Sequence, residues 1–218
     1  MIDAEQTLGA PTLSIAPPHC VVRDFLPAET VAALLDFAQH HETEFEPTGV
    51  GDAAVLDPTI RVSHGLRRIR PFRPVLTECL LQAAPALIAG LRMTPFEVSR
   101  VELQLVAHGD GAFYAPHIDL EIGGHAEHLR VLSGVYYFHR QPKAFSGGAL
   151  RLHAIGDNAR FMDIEPVCNT LLVFPAWAPH EVMPIAVPSG CFADSRFAIN
   201  CWLKQRRAGA PPDPVRAL

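Results

Sequence analysis

Tyr114-Ala115-Pro116-His117-Ile118-Asp119 reads as an extended segment. Side chains on a strand alternate faces with a period of two, so His117 and Asp119 are expected to project from one side and grip one ion. A neutral imidazole and a carboxylate so placed make half of a metal site. The block around the segment decides the fold. Extended runs at 101–106, 114–119, 132–138, 149–153, 170–174, 181–185 and 197–203 alternate with turn signals at Gly109-Asp110-Gly111, Gly123-Gly124, Gly147-Gly148 and Pro188-Ser189-Gly190. Short strands at this spacing imply a sandwich or a jelly roll.

Upstream of the block the periodicity is helical. Residues 1–20 are rich in Pro, Ala and Thr and read as an arm leading into a first strand at about 20–24. Leu26-Pro27-Ala28-Glu29 opens a helix, because Pro suits a first helical position and Glu favours the positive N-terminal end. Val31, Leu34, Leu35 and Ala38 then recur on one face. Residues 42–60, with Pro47, Gly49, Gly51 and Pro58, read as a long loop, and 60–66 as a short strand or the arm of a finger-like loop. A second helix is expected over 75–91, with Leu76, Leu80, Leu87 and Leu91 on one face, Pro85 as a kink or boundary and Gly90 in the last turn. Two helices before a strand block predict an α+β, mainly β arrangement with the helices packed on the outer face of one sheet. The expected organisation is an arm and supporting helices over 1–97, part of the same domain as a core over 98–204, and a flexible tail over 205–218.

Composition narrows the classes. The chain has 218 residues, 49% hydrophobic and 19% charged, which fits one folded domain. A net charge of -5 supplies no basic field for a phosphate backbone, so nucleic acid is not the expected partner. No apolar run reaches membrane-spanning length. The first twenty residues lack a basic start and a signal-length apolar run, and the five cysteines are scattered without a C-x-x-C pair. Both point to reduced thiols and a cytoplasmic location.

Further along stands Pro175-Ala176-Trp177-Ala178-Pro179-His180-Glu181-Val182, and then Arg196 at the head of a late strand. Two imidazoles and a carboxylate on one face of iron form the facial triad of non-haem Fe(II) oxygenases, which leaves coordination positions open. With these pieces in order, residues 101–203 resemble the catalytic core of the 2-oxoglutarate and Fe(II)-dependent dioxygenases, in the prolyl 4-hydroxylase-like branch. The resemblance is carried by the Tyr-x-x-His-x-Asp segment, Val131-Leu132-Ser133-Gly134-Val135-Tyr136-Tyr137-Phe138, Ser146-Gly147-Gly148-Ala149-Leu150, Asp163-Ile164-Glu165-Pro166, Pro179-His180-Glu181-Val182-Met183-Pro184 and Ser195-Arg196-Phe197-Ala198-Ile199-Asn200-Cys201-Trp202. The Gly-Gly-x-Leu turn and the His-Glu-Val-x-Pro run resemble the hypoxia-sensing prolyl hydroxylases most closely.

The resemblance implies a double-stranded β-helix in which His117, Asp119 and His180 bind Fe(II) and do the catalysis. It implies that Arg196 pairs with the distal carboxylate of 2-oxoglutarate, a match of planar fork to carboxylate. Tyr137 aligns with a tyrosine that donates to the same carboxylate, and Asn200 stands where a small polar residue helps. His108 replaces a tyrosine of many relatives as a polar contact to the co-substrate. Asp119 itself favours hydroxylation, since halogenating relatives carry a small residue there. The implied reaction consumes 2-oxoglutarate and dioxygen, with ascorbate as an accessory reductant, and yields succinate and CO2. The resemblance favours a prolyl residue in a peptide or protein as substrate; a free amino acid or other small molecule is the alternative, and a non-catalytic metal-binding jelly-roll sensor the rival class. The loops 46–70 and 121–130 are expected to close over the substrate. His125, His128, His139 and His153 are read as solvated or structural, and Trp177 and Trp202 as packing around the site. The role of Tyr114, lining the cleft or packing under the metal, stays open.

Overall fold

A computed structural model describes residues 17–51, 54–66, 68–120, 126–207 and 209. The expected N-terminal arm and C-terminal tail therefore fall largely outside the described residues, as do positions 121–125 of the second closing loop. In chain order the elements are β1 (Cys20–Arg23), α1 (Ala28–His40), β2 (Glu46–Pro47), β3 (Arg61–Val62), β4 (His64–Leu66), α2 (Arg73–Gly90), β5 (Arg100–His108), β6 (Phe113–His117) and β7 (His128–Phe138). They continue with β8 (Ser146–Gly147), β9 (Leu150–Ala154), β10 (Asp157–Ile164), β11 (Thr170–Pro175), β12 (His180–Val182), β13 (Ile185–Ala186) and β14 (Arg196–Arg206).

The strands form a seven-stranded sheet, ordered β1-β11-β7-β14-β5-β4-β2, facing a five-stranded sheet, ordered β10-β9-β12-β6-β3, with β13-β8 as a small separate pair. This is the expected jelly roll, antiparallel in the pairings that build both sheets. Strand β14 is its spine: it pairs with β5 on one side and β7 on the other. Period-two alternation gives β14 two faces. Phe197, Ile199, Cys201 and Leu203 point to the helices, while Arg196, Ala198, Asn200 and Trp202 point between the sheets.

The helices cover one sheet only. Leu34 and Ala38 of α1 and Leu76, Leu80, Leu87 and Ile88 of α2 pack with Leu105, Tyr136, Phe138 and Ile199 of the large sheet in the main apolar cluster. Each such fully buried aliphatic side chain contributes about 1.5–3 kcal/mol relative to exposure. A second cluster, built on Val135, Leu152, Leu172 and Phe174, fills the space between the sheets and ends where the polar side chains begin.

The structure departs from the sequence expectations at several elements. Pro85 neither ends nor divides α2, which runs on to Gly90. The carbonyl that its ring deprives of an N–H partner is that of Leu81, a residue 44% exposed, so water is at hand to satisfy it. Strand β6 stops at His117, and Asp119 lies beyond it, tied by its N–H to the Ala176 carbonyl at 3.0 Å. The two residues therefore do not share a strand face; a turn carries Asp119 to the metal side. The run expected over 181–185 is two short strands, β12 and β13, and β10 had no counterpart in the reading.

Candidate active site

His117 ends β6 and His180 begins β12, and the two are direct partners in the antiparallel register. Strand pairing alone thus brings the imidazoles together from distant parts of the chain. Each ring is fixed the same way, by an Nδ1–H donated to the carbonyl two residues earlier: His117 to Ala115 and His180 to Ala178, both at 2.9 Å. That bond sets the tautomer and leaves Nε2 as a lone-pair donor. The Nε2 of His117 stands 3.8 Å from Asp119 Oδ1, and the Nε2 of His180 3.6 Å from Asp119 Oδ2. Ligand atoms of the three residues all lie within 4.8 Å of one another, a spacing that suits one ion.

The electrostatics fit a metal. Burial, with the neighbouring His180, pushes His117 down to about 3, so the ring is neutral and ready to ligate. Burial works to raise the Asp119 carboxyl, but the two imidazoles, the Ser133 hydroxyl and the Trp202 indole outweigh it and hold it below its usual value. Ser133 Oγ–H donates to Asp119 Oδ2 at 2.7 Å, an orienting contact invisible to motif reading. Trp202 is more than packing, since it lies against this carboxylate and stacks on Arg130, whose Cζ is 4.1 Å from the ring. Trp177, by contrast, is 38% exposed and lies off this cleft.

Arg196 is 1% exposed, and among the described residues its Nε and Nη2 have no hydrogen-bond partner. Its Nη1 donates to His108 Nδ1 at 3.2 Å, and its Cζ lies 4.7 Å over the Tyr137 ring. The Tyr137 hydroxyl, buried and acted on by the Arg196 charge, likewise has no well-formed hydrogen bond among the described residues. A permanent charge and a hydroxyl left unsatisfied in a closed space carry a penalty of several kcal/mol unless an acceptor arrives. Gly148 makes room for the Arg196 stem: at φ +73°, a Cβ there would come within 2.8 Å of Arg196 Cδ. His108 is held neutral by burial and by the charges of Arg196 and Arg61, which suits an acceptor from a guanidinium. Asn200 lines the same cleft, about 940 Å³ in volume, that joins Arg196 to the His/Asp/His cluster. The donor set therefore fits both a borderline divalent metal ion such as Fe(II) and a carboxylate beside it.

The other sequence readings distribute plainly. Tyr114 lines the cleft and stacks on His117, ring centroids 3.6 Å apart at 19°. His128 bonds Ser99 Oγ, His139 lies between the Arg140 and Pro166 carbonyls, and His153 contacts Glu181, so all three serve the scaffold. His125 lies outside the described residues. Thr48, Gly49 and Arg61, within the segment 46–70 expected to close over the substrate, line the cleft, and no motif singles them out.

Residues 103–204 match the model of the 2OG-Fe(II) oxygenase superfamily. An uncharacterized PKHD-type hydroxylase of Synechocystis sp. is 38% identical over 147 residues, 64% of this chain and 48% of that protein, so the chain spans about half the length of this relative. Among solved structures, a prolyl-4-hydroxylase of Pseudomonas putida is similar with a TM-score of 0.63 and 26% identity over 88% of this chain and 94% of that one. A prolyl hydroxylase from Trichoplax adhaerens, in complex with a hypoxia inducible factor peptide fragment, gives 0.61 and 20% over 87% and 84%, a likeness of fold. The jelly-roll half of the chain thus matches the 2OG-Fe(II) oxygenase superfamily, and its fold is similar to that of prolyl 4-hydroxylases.

Proposed function

We propose that the protein is an Fe(II)- and 2-oxoglutarate-dependent hydroxylase whose target is a prolyl residue in a peptide or protein. The observation that carries the reading is Arg196, a fully buried guanidinium whose Nε and Nη2 have no partner among the described residues, in a cleft that also holds the His/Asp/His cluster. In this reading His117, Asp119 and His180 hold iron. Arg196 and the Tyr137 hydroxyl receive the distal carboxylate of 2-oxoglutarate, with Asn200 and His108 beside it. Bound iron and 2-oxoglutarate supply dioxygen activation and oxidation of an unactivated C–H bond, with succinate and CO2 as co-products.

The chain's own part is placement. The carbonyls of Ala115 and Ala178 keep both imidazoles in the ligating tautomer. Ser133 holds Asp119 Oδ2, which leaves Oδ1 the freer oxygen. His108, kept neutral, accepts from Arg196 Nη1 and turns the remaining guanidinium edge toward the cleft. Val135 and Leu150 line the same cleft and limit water near the co-substrate. The prolyl substrate is supported by the likeness to the P. putida prolyl-4-hydroxylase, not by a feature of the cleft alone.

Anaerobic addition of Fe(II) and 2-oxoglutarate is expected to produce a weak visible charge-transfer absorption, absent in H180A and R196A. Wild-type, folded protein without that band overturns the oxygenase reading and leaves a metal-binding sensor. Succinate release, with ascorbate present, then compares proline-containing peptides with free amino acids. Stimulation by the free amino acids alone overturns the prolyl assignment.

A further inference from the structure

The cleft holds another guanidinium, on the wall opposite the large sheet. Arg61 stands on β3, directly across from Tyr114 of β6. Its Cζ is 4.7 Å from the centroid of the Tyr114 ring, and that ring stacks on His117. Two ring contacts thus link Arg61 to a proposed iron ligand, and Arg61, Tyr114 and His117 all line the cleft.

The other cationic groups here each meet a carboxylate. Glu102 takes Arg130 and Lys204, each at 2.9 Å. Asp119 and the two carboxylates of 2-oxoglutarate neutralise iron and Arg196 in the proposed function. Arg61 is different. Among the described residues its hydrogen bonds go to neutral oxygens, Nε to Ser63 Oγ at 2.9 Å and Nη1 to the Gly49 carbonyl at 3.4 Å. A guanidinium has five N–H groups in a fixed fork, so donors remain on the cleft side. Burial disfavours its charge, and Tyr114 and Asp119 offset this only in part.

A cation with no salt-bridge partner among the described residues, in a partly closed cleft, calls for an anion from the ligand. A monoanion balances one guanidinium, and a planar carboxylate matches its fork; a phosphate dianion would leave charge over. We propose that Arg61 is a specificity-determining residue that binds a carboxylate of the substrate, so that the molecule oxidised presents a carboxylate near its target C–H bond. This rests on the hydroxylase reading and narrows it. The carboxylate has two sources: the terminal group of a free amino acid or chain end, and an acidic side chain beside the target residue in a peptide.

The test is calorimetric titration of protein loaded with Mn(II) and 2-oxoglutarate, in which no turnover occurs. One arm compares N-acetyl-L-proline with N-acetyl-L-prolinamide, and free amino acids with their amides. The other compares N-acetylated, C-amidated Asp-Pro and Pro-Asp with their Asn counterparts. In at least one arm the acid is expected to bind about tenfold more tightly than its neutral partner, as a charge-assisted bidentate contact gives. R61Q is expected to reduce that preference to less than about twofold, and R61K, which keeps the charge but lacks the fork, to fall between. Circular dichroism checks that both variants fold. Acids that bind no better than their neutral partners in either arm, absence of binding included, overturn the assignment, as does a preference that survives in R61Q. Failure of the wild-type protein to bind 2-oxoglutarate is a separate result and overturns the oxygenase reading itself.

Discussion

At the scale of single residues, the site depends on side chains that hold the ligands as much as on the ligands. Ser133 is the clearest case. It sits on β7, 14 residues after Asp119, and its hydroxyl donates to Oδ2 at 2.7 Å. Without it the carboxylate keeps its charge but loses the bond that fixes its plane. Ser133→Ala is therefore expected to weaken Mn(II) or Fe(II) binding by about 10–100-fold, the usual effect of removing an orienting partner of a metal ligand. Equilibrium metal titration with thermal unfolding as a folding control checks this. Unchanged metal affinity would show that the backbone tether of Asp119 to Ala176 suffices. His117, Asp119, His180 and Arg196 stand out in the sequence because their chemistry is rare in strands. Ser133, Trp202 and Arg61 do not, since a serine, a tryptophan and an arginine in extended runs are more often packing or surface residues. Only the fold, which brings Ser133 and Trp202 beside Asp119 and Arg61 beside the Tyr114 ring, gives them a role.

Among the elements, the junction of β1 and α1 with the sheet is held by a single side chain. Asn169 has φ 56°, a left-handed conformation that Asn tolerates better than most residues. Its Oδ1 accepts from the Leu26 N–H at 3.0 Å and from the Tyr136 hydroxyl at 2.9 Å, and its Nδ2 donates to the Leu26 carbonyl at 2.8 Å. Asn169→Ala removes all three bonds and leaves the Tyr136 hydroxyl inside the core without its partner. A loss of about 2–4 kcal/mol is expected, from roughly 1 kcal/mol per bond plus the penalty for the buried orphan. Denaturant unfolding measures it, and a change under about 0.5 kcal/mol would mean that water replaces the amide. Elements were legible in the sequence where one periodicity ran long enough: α1 and the strands from β5 to β14 flanking the motifs were expected close to their observed places. Strand β10 was missed because it is an edge strand with Phe161 and Met162 exposed, so no buried face imposes alternation. Pro85 misled because its cost depends on what faces Leu81, and solvent does. The His-x-Asp spacing mimics period two at Asp119 although β6 ends at His117.

For the molecule as a whole, two sheets with helices on one of them leave the inner space to be shared between an apolar plug and a polar cleft. That division forces ionisable groups into burial, and their protonation then becomes part of folding. In the metal-free protein burial and neighbouring charges depress His108 and His117, the latter to about 3, while burial also lowers His139. The folded state therefore keeps these rings neutral where the unfolded chain, with histidines near 6.5, takes up protons. The sign follows: their contribution to stability is complete above about pH 6.5 and is lost as the pH falls from there toward the folded values. At the alkaline end the sense reverses. Burial, with the nearby Asp119, pushes the Cys201 thiol up to about 12, so its contribution is present below the unfolded value and lost as the pH rises past it. The melting temperature of the metal-free protein is thus expected to be highest near neutrality and to fall between pH 6.5 and 4.5, before ordinary carboxylates titrate. His117→Gln, which removes one of the depressed rings, is expected to flatten that acid limb. A wild-type melting temperature that stays level from pH 7 to 4.5 would show that the cleft hydrates its histidines and that their burial has no energetic weight.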